Sequence, residues 1–167
     1  MKILAIDAST KSSGFAIFKD KELKEYGCIT ASSTDLVKRI NKMITELNEI
    51  LTREREIDKI ILEEVRPEQG LQNIKTHKAL MYLQAAITFL IHERFSNIEI
   101  IYLYPNEWRA ACQIHTGRGI RRQSLKPADI KFVKDTYNID VNDDTADAIG
   151  LGYAYTHLKP KELNWGK

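Results

Sequence analysis

The sequence predicts a single α/β domain with a five-stranded mixed sheet flanked by helices. Three observations lead to this prediction. The N-terminal part contains three short apolar segments joined by tight polar links, which is typical of an antiparallel meander. Two later apolar segments alternate with segments of helical periodicity, which indicates parallel strands joined by crossover helices. A length of 167 residues with 43% hydrophobic content suits one domain with an ordinary core.

The predicted meander covers residues 2–7, 14–18 and 25–30. The first of these segments is almost continuously apolar, so we expect that strand to lie inside the sheet with both faces covered. The links between the three segments contain serine, glycine, lysine and aspartate, and such links favour hairpins. Consecutive strands should therefore pair in an antiparallel arrangement.

The middle of the chain alternates between helical and strand-like patterns. Residues 34–54 and 73–95 carry apolar side chains at spacings of three and four, which predicts two amphipathic helices. Residues 59–65 and 98–103 are short apolar segments rich in isoleucine, which predicts two further strands. A right-handed crossover through the first helix should place the strand at 59–65 parallel to the strand at 2–7.

Three helices are predicted in the last third of the chain. Residues 105–112 and 127–137 each begin with a proline, which suits the first turn of a helix. The last helix should begin at a cap formed by Asn142 or Asp143 and run to about His157. We expect a single domain over residues 1–158. A loosely ordered tail should cover residues 159–167.

The composition argues against the membrane and secreted classes of protein. No apolar run approaches the roughly 18–20 residues of a membrane-spanning helix, and the N-terminus lacks a secretory leader. Cys28 and Cys112 do not have the spacing of metal ligands, so we expect free intracellular thiols. These features predict a cytoplasmic protein.

A basic segment indicates a polyanionic partner. The formal net charge is only +2, but between residues 109 and 134 the acidic side chains are limited to Asp129. Such a segment attracts nucleic acid through the release of counterions. Three of its arginines share a glycine-flanked loop that suits a DNA-gripping role. The bases of the segment are Arg109, Arg118, Arg121, Arg122, Lys126, Lys131 and Lys134.

Four carboxylates stand at the ends of apolar segments. Asp7 closes the first predicted strand, Glu63 lies near the end of the strand at 59–65, and Asp144 and Asp147 lie near the start of the last helix. Residues three apart share one face of a helix, so both aspartates can point towards the same edge of the sheet as Asp7. Converging carboxylates repel each other unless a cation holds them, and Mg²⁺ prefers oxygen ligands. Four such groups can hold two Mg²⁺ ions about 3.5–4 Å apart.

These motifs resemble those of a known family. Their order and spacing are similar to those of motifs in the RuvC Holliday junction resolvases. The motifs are Ile-Asp-Ala-Ser-Thr followed by Ser-Gly-Phe-Ala, then Leu-Glu-Glu-Val, then Asp-Thr-Ala-Asp-Ala. The similarity extends from Lys2 to about His157, and phage-type members look most alike. The family has the RNase H-like fold of nucleases and integrases, so the resemblance implies that fold for residues 1–158.

The resemblance also implies an activity. It implies a Mg²⁺-dependent, structure-selective DNA endonuclease of recombination and repair, with Mn²⁺ as a substitute metal. Such an enzyme resolves Holliday junctions, and other branched DNA, by paired nicks that leave 5′-phosphate ends. It acts as a homodimer, which we expect to form through the helix at 73–95. The implied location is the bacterial cytoplasm, with a phage gene as its source.

Matching the motifs residue by residue assigns the predicted site. Asp7, Glu63, Asp144 and Asp147 match the metal-binding catalytic residues, and Lys126 matches a lysine linked to catalysis and to the scissile phosphate. One departure concerns Arg66, which stands where the family often has an aromatic residue that probes the junction centre. The predicted DNA-binding residues are Arg109, Arg118, Arg121, Arg122, Lys126, Arg66 and Lys11.

Three alternatives remain open at the level of sequence. The same surface could bind branched DNA without cutting it. The first motif also resembles the phosphate-binding hairpin of sugar and acetate kinases, although those enzymes need a second copy of the domain. An RNA-directed nuclease of the same fold would differ in its response to the 2′-hydroxyl group.

Overall fold

The computed structural model describes residues 1–65, 74–116 and 122–158. These residues contain one mixed five-stranded sheet with helices on both faces, which confirms the predicted architecture. The predicted DNA-binding residues Arg66, Arg118 and Arg121, and the predicted tail, lie outside the described residues. The strands are β1 (Lys2–Asp7), β2 (Ser12–Lys19), β3 (Glu22–Thr30), β4 (Lys59–Glu63) and β5 (Glu99–Leu103). The helices are α1 (Leu36–Arg53), α2 (Ile74–Arg94), α3 (Pro105–Ala111), α4 (Arg122–Tyr137) and α5 (Asp143–Leu158).

The order of the strands brings two of the predicted acidic residues to one edge of the sheet. The strands follow the order β3-β2-β1-β4-β5, with β1 antiparallel to β2 and parallel to β4. Ile6 pairs with Leu62, so Asp7 and Glu63 are the next residues of neighbouring parallel strands. On the other side of β1, Asp7 pairs with Gly14. The carboxyl ends of β1 and β4 therefore present their acids side by side.

Side chains of the central strands alternate between two apolar layers. In β1, Leu4 and Ile6 belong to the layer under α1 and α2, whereas Ile3 and Ala5 belong to the layer under α3, α4 and α5. This alternation follows from the two-residue period of a strand. It explains why β1 is almost continuously apolar in sequence, because both of its faces are covered.

Helix α5 approaches the sheet closely through a glycine. A Cβ atom at Gly152 would lie 2.5 Å from the ring of Phe18 and 3.1 Å from the Cβ of Ala5. A larger residue would hold the helix away from β1 and β2. At Gly150 the close neighbour is instead the ring of Trp108 on α3, 2.6 Å from a Cβ built there. The two glycines thus fix the position of α5 against both the sheet and α3.

The boundaries of α4 and α5 refine the predictions. The side chain of Asn142 accepts a hydrogen bond from the backbone of Thr145 at 2.9 Å, so Asn142 caps α5. Helix α4 begins at Arg122, and Pro127 lies inside it. The predicted start at Pro127 was wrong, because Arg122 to Lys126 contains good helix formers that extend the helix towards the N-terminus despite the hydrogen bond that Pro127 cannot donate.

Two expectations from composition can be compared with the structure. Cys28 is half-buried and Cys112 is buried, and both are free thiols, as predicted. None of the helices in the described ranges combines the length and apolar character that crossing a membrane requires.

Candidate active site

Three elements bring the predicted acidic residues together. Asp7 ends β1, Glu63 ends β4, and the first two turns of α5 carry Asp144 and Asp147. Gly14, the sheet partner of Asp7, packs directly against the backbone of Asp144, and a Cβ at that glycine would overlap the carbonyl oxygen. The start of α5 therefore lies over the end of β1, as the sequence predicts for a common site.

Arg109 connects two of these carboxylates. Its Nη2 atom lies 3.0 Å from Oδ2 of Asp147, and its Nη1 atom lies 3.8 Å from Oε2 of Glu63. Burial by itself would lower the pKa of Arg109, but the negative charges of Glu63, Asp147 and Asp129 raise it. The guanidinium is therefore a permanent positive charge between two acids from different elements.

Asp129 on α4 is a further acid of this cluster. Its carboxylate accepts from Nε of Arg109 at 3.1 Å through Oδ2 and at 3.3 Å through Oδ1, and Nη2 of Arg109 lies 3.1 Å from the same Oδ2. Asp129 is only 1% exposed. The sequence prediction missed this residue, although its position as the acid of a basic segment was an available signal.

Two further side chains hold the end of β4 in place. The indole Nε1 of Trp108 donates to Oε2 of Glu63 at 2.6 Å, and Nε2 of Gln84 donates to the backbone oxygen of Glu63 at 2.8 Å. The Trp108 ring also lies under the Arg109 guanidinium, with 4.2 Å from Cζ to the ring centroid. Trp108 is buried in the core, and the N–H group of its indole also orients the Glu63 carboxylate.

Asp144 has a separate partner on the sheet. The hydroxyl of Ser12 on β2 donates to Oδ2 of Asp144. The Ser12 hydroxyl oxygen also lies 3.0 Å from Sγ of Cys28 on β3. The hydroxyl of Thr145 donates to the backbone oxygen of Gly27 at 3.2 Å. These contacts join the start of α5 to β2 and β3. Sequence reasoning did not single out Ser12, because its role depends on a contact across 132 positions.

Asp147 lies in a strongly perturbed environment. Burial raises the pKa of its carboxyl group, the negative charges of Asp7 and Asp129 raise it further, and Arg109 opposes them. Within the described part of the chain, its Oδ1 atom is buried without a hydrogen-bond partner. An ionised carboxylate with such an oxygen is costly to bury unless a cation or a proton satisfies it.

Lys126 lies at the rim of the cluster. Its Nζ forms an ion pair with Asp143, and the lysine side chain is half-exposed. This hydrogen bond raises the pKa of Lys126 and lowers that of Asp143. Asp144 and Asp147 are near enough to add to the effect on the lysine. Lys126 thus combines proximity to two of the predicted metal ligands with access to solvent.

The remaining predicted DNA-binding residues divide into three groups. Lys11 is exposed in the connection between β1 and β2, and Arg122 is the first residue of α4. Arg66, Arg118 and Arg121 fall outside the described ranges. Arg109 differs from the prediction of an accessible DNA contact, because it is only 9% exposed and its guanidinium faces the carboxylates. The sequence presented Arg109 as part of a basic segment and gave no sign of its burial.

The donor types of the cluster, although not their arrangement, suit a divalent cation. The carboxylates of Glu63, Asp129 and Asp147 share the Arg109 guanidinium, and Asp7 adds negative charge beside Asp147. In residues 1–65, 74–116 and 122–158, no three acidic, histidine or cysteine side chains are arranged to ligate one ion. Protein donors, including the Trp108 indole, hold oxygens that a metal would take. The excess of carboxylates and the unsatisfied oxygen of Asp147 nevertheless match a hard cation with oxygen ligands.

Known proteins resemble this chain in structure and not in sequence. No protein-family model matches it, and no curated protein matches it in sequence. A structure of Thermus thermophilus RuvC in complex with a Holliday junction substrate superposes with a TM-score of 0.74 at 14% identity. It covers 98% of this chain and 100% of that one.

Two further solved structures are also similar in fold to this chain. Another structure of Thermus thermophilus RuvC has a TM-score of 0.69 at 14% identity, with the same coverage of 98% and 100%. The yeast mitochondrial Holliday junction resolvase Ydc2 has a TM-score of 0.58 at 14% identity, over 92% of this chain and 77% of that one. The chain therefore has the RNase H-like fold of the RuvC-type Holliday junction resolvases over almost its whole length.

Proposed function

We propose that this protein is a divalent-metal-dependent DNA endonuclease that resolves Holliday junctions and other branched DNA by paired nicks. The observation that supports this most strongly is the gathering of Asp7, Glu63, Asp144 and Asp147 from three elements of the fold at one edge of the sheet. A solved structure with the same fold is a RuvC in complex with a Holliday junction substrate. Shared fold alone does not transfer activity, so the acid cluster carries the proposal.

The four acids would hold two Mg²⁺ ions, with Mn²⁺ as a substitute. When bound, such ions supply an activated water and stabilise the leaving 3′ oxygen of the scissile phosphate. The chain contributes ligands from the ends of two hydrogen-bonded strands and from a helix packed on the same sheet. Trp108 and Gln84 restrict Glu63, and Ser12 restricts Asp144, so the ligands are oriented before DNA binds. The products would carry 5′-phosphate ends.

Lys126 is the proposed phosphate-binding residue of the site. Its ammonium lies at the rim, half-exposed, and is held by Asp143. A scissile phosphate near Asp144 would compete for this ammonium and gain a charge-assisted contact. Lys126 would thereby offset negative charge that develops in the transition state. Lys11, Arg122 and the arginines of positions 66, 118 and 121 remain the predicted contacts to the DNA backbone.

A homodimer would supply two such sites for paired nicks. Helix α2 exposes large apolar side chains along one stripe, and such a stripe on a helix indicates a protein partner. A second copy of the chain, related by a two-fold axis, would cover both stripes at once. Gln84 on the same helix is not part of this stripe, because it is buried against Glu63. The exposed members of the stripe are Ile74, Met81, Tyr82 and Phe89.

A cleavage panel tests the proposal. The protein is incubated in Mg²⁺ with four-way, three-way, forked and linear DNA of matched sequence, and the ends are mapped. We expect symmetric nicks with 5′ phosphates on the four-way junction and little cutting of linear duplex. Asp7→Asn should retain junction binding and lose cleavage, whereas Asp140→Asn, an exposed control, should retain both binding and cleavage. Binding without cleavage by the wild-type protein would indicate a non-catalytic junction binder and refute the endonuclease.

A further inference from the structure

We propose that Arg109 is a built-in counter-charge that competes with divalent cations for Asp147 and Glu63, and that Asp129 is the positioning residue that holds it there. This inference rests on the proposed function, because it concerns the same cluster of acids. It assigns roles to an arginine and an aspartate that a metal-ion mechanism does not require. It also explains why a cation-binding cluster carries a buried guanidinium.

Asp129 sets the direction in which the guanidinium of Arg109 points. Asp129 binds the edge of the guanidinium that carries Nε and Nη2. Each of these two nitrogens lies 3.1 Å from Oδ2 of Asp129. The Cζ atom of the guanidinium lies over the Trp108 ring, 4.2 Å from the ring centroid. Because the group is rigid and planar, fixing the edge that faces Asp129 leaves Nη1 directed towards Glu63, while Nη2 also reaches Asp147. The orientation is thus set by the protein alone.

Asp129 and Arg109 are both buried side chains. Asp129 is 1% exposed, so it is poorly placed to bind DNA itself. Its contacts with Arg109 account for its burial, because a charge in the interior needs a partner. Arg109 in turn is 9% exposed and occupies Oδ2 of Asp147 at 3.0 Å. A divalent cation at Asp147 must share that carboxylate with the guanidinium or displace it.

Substitutions of Arg109 and Asp129 should change the affinity for divalent cations in opposite directions. Removing the charge of Arg109 removes a competitor and a repulsive neighbour, so divalent cations should bind more tightly. Removing the charge of Asp129 leaves the guanidinium wholly available to Asp147 and Glu63, so divalent cations should bind more weakly. A purely structural role would disturb the cluster in both variants, and both would then bind cations more weakly. The sign of the change at Arg109 therefore separates the two roles.

The experiment measures Mn²⁺ binding to the DNA-free protein by titration calorimetry. The variants are Arg109→Gln, Asp129→Asn and the double substitution, with Arg53→Gln as the control. Arg53 is also an ion-paired arginine, but its partners, Glu25 and Glu54, lie on β3 and next to the end of α1. We expect at least about fivefold tighter binding for Arg109→Gln and at least about fivefold weaker binding for Asp129→Asn. The control should match the wild type.

Thermal melts supply a second readout. Arg109→Gln leaves Asp129 buried without its cation, so the metal-free variant should melt earlier and gain more from Mn²⁺ than the wild type. If that variant fails to fold, the double substitution, in which two amides face each other, should still bind Mn²⁺ more tightly than Asp129→Asn.

Weaker binding in Arg109→Gln, equal binding in all variants, or no Mn²⁺ binding by the wild type would each overturn the inference. The cleavage panel is scored separately on the wild type. Opposite shifts in Mn²⁺ affinity without junction cleavage would refute only the proposed function. Cleavage without the opposite shifts would refute only the role of the arginine and its partner.

Discussion

Gly14 on β2 lies directly against the backbone of Asp144 at the start of α5, with no room for a side chain between them. Because Gly14 is also the sheet partner of Asp7, this contact sets the separation between acids that lie far apart in sequence. Ser12 and Thr145 reinforce it by hydrogen bonds between α5 and the strands. The position of α5 on the sheet is therefore the feature on which the geometry of the site depends.

Gly14→Ala tests this dependence. The added methyl group must move the backbone of Asp144, and overpacking of this kind costs about 1–3 kcal/mol. We expect a lower free energy of unfolding and a loss of junction cleavage of at least about 100-fold, since small displacements of catalytic groups are costly. Gly27→Ala is the control, because its Cβ would meet the Phe15 ring at 2.8 Å and a ring can turn aside. Equal activity of the two variants would show that α5 tolerates displacement.

Asp147→Asn should change stability in a pH-dependent way. The fold raises the pKa of Asp147 above its ordinary value of 3.8, so the native state binds this proton more tightly than the unfolded chain. The resulting stabilisation is complete below the ordinary pKa and is lost as pH rises towards the raised value. Asparagine remains neutral throughout.

Without metal, we therefore expect Asp147→Asn to melt at least about 2 °C above the wild type at pH 8, with the difference shrinking towards pH 4. Adding Mn²⁺ should stabilise the wild type more than the variant. Melting curves at a series of pH values, with Asp140→Asn as an exposed control, check this. A variant that melts below the wild type at pH 8 would mean that the Arg109 contact outweighs the burial of the charge.

Trp108→Phe removes the hydrogen bond to Glu63 and keeps most of the ring. Hydrogen bonds to charged groups contribute about 1.5–3 kcal/mol, so the free energy of unfolding should fall by a similar amount. Cleavage should decrease because Glu63 is less restricted. Denaturant unfolding of Trp108→Phe, Glu63→Gln and the double variant measures the coupling between the two side chains. Additive effects would show that the bond contributes nothing beyond packing.

The two thiols should react differently. Burial raises the pKa of Cys112 to about 12, so this thiol should resist iodoacetamide at pH 8 in the folded protein. Cys28 is half-buried, and its sulfur lies 3.0 Å from the Ser12 hydroxyl that holds Asp144. Alkylation of Cys28 should therefore reduce junction cleavage. Peptide mapping identifies the modified residue, and full activity after complete alkylation of Cys28 would exclude a role for this contact.

Phe89→Asp should separate the proposed dimer. Phe89 on α2 is 68% exposed, and a charge there would oppose the burial of the apolar stripe. We expect a monomer in sedimentation experiments and loss of paired nicking. Val37→Asp is a matched control, since Val37 on α1 is also apolar and 65% exposed. If both variants sediment as the wild type does, helix α2 is not the interface.

Sequence reasoning predicted the strands well, because strands depend on local patterns. It also placed the four acids at the ends or starts of elements, and their role in metal binding stays a prediction. The apolar runs of β1 and β4 define the strands, and Asp7 and Glu63 follow from where those runs end. The start of α4 was misplaced because proline is typical of a first turn, whereas Pro127 lies inside this helix. Local periodicity therefore identifies elements better than it identifies their ends.

The contacts around the acids could not be predicted in the same way. Ser12, Trp108 and Asp129 act through partners at least 20 positions away, and no local pattern marks such pairs. Arg109 is misleading in sequence because a basic segment suggests an exposed surface. Its burial arises from the way α3 and α4 pack beside the sheet, which only the tertiary structure defines.

The most direct test of the central claim is anomalous diffraction from crystals of the protein soaked in Mn²⁺. We expect anomalous peaks within ligand distance of Asp7, Glu63 and Asp147, with Asp144 close by, at the edge of the sheet where β1 and β4 end. Mn²⁺ bound elsewhere, with these carboxylates still engaged by Arg109 and Trp108 at saturating metal, would contradict the claim that this cluster is a metal-ion nuclease site.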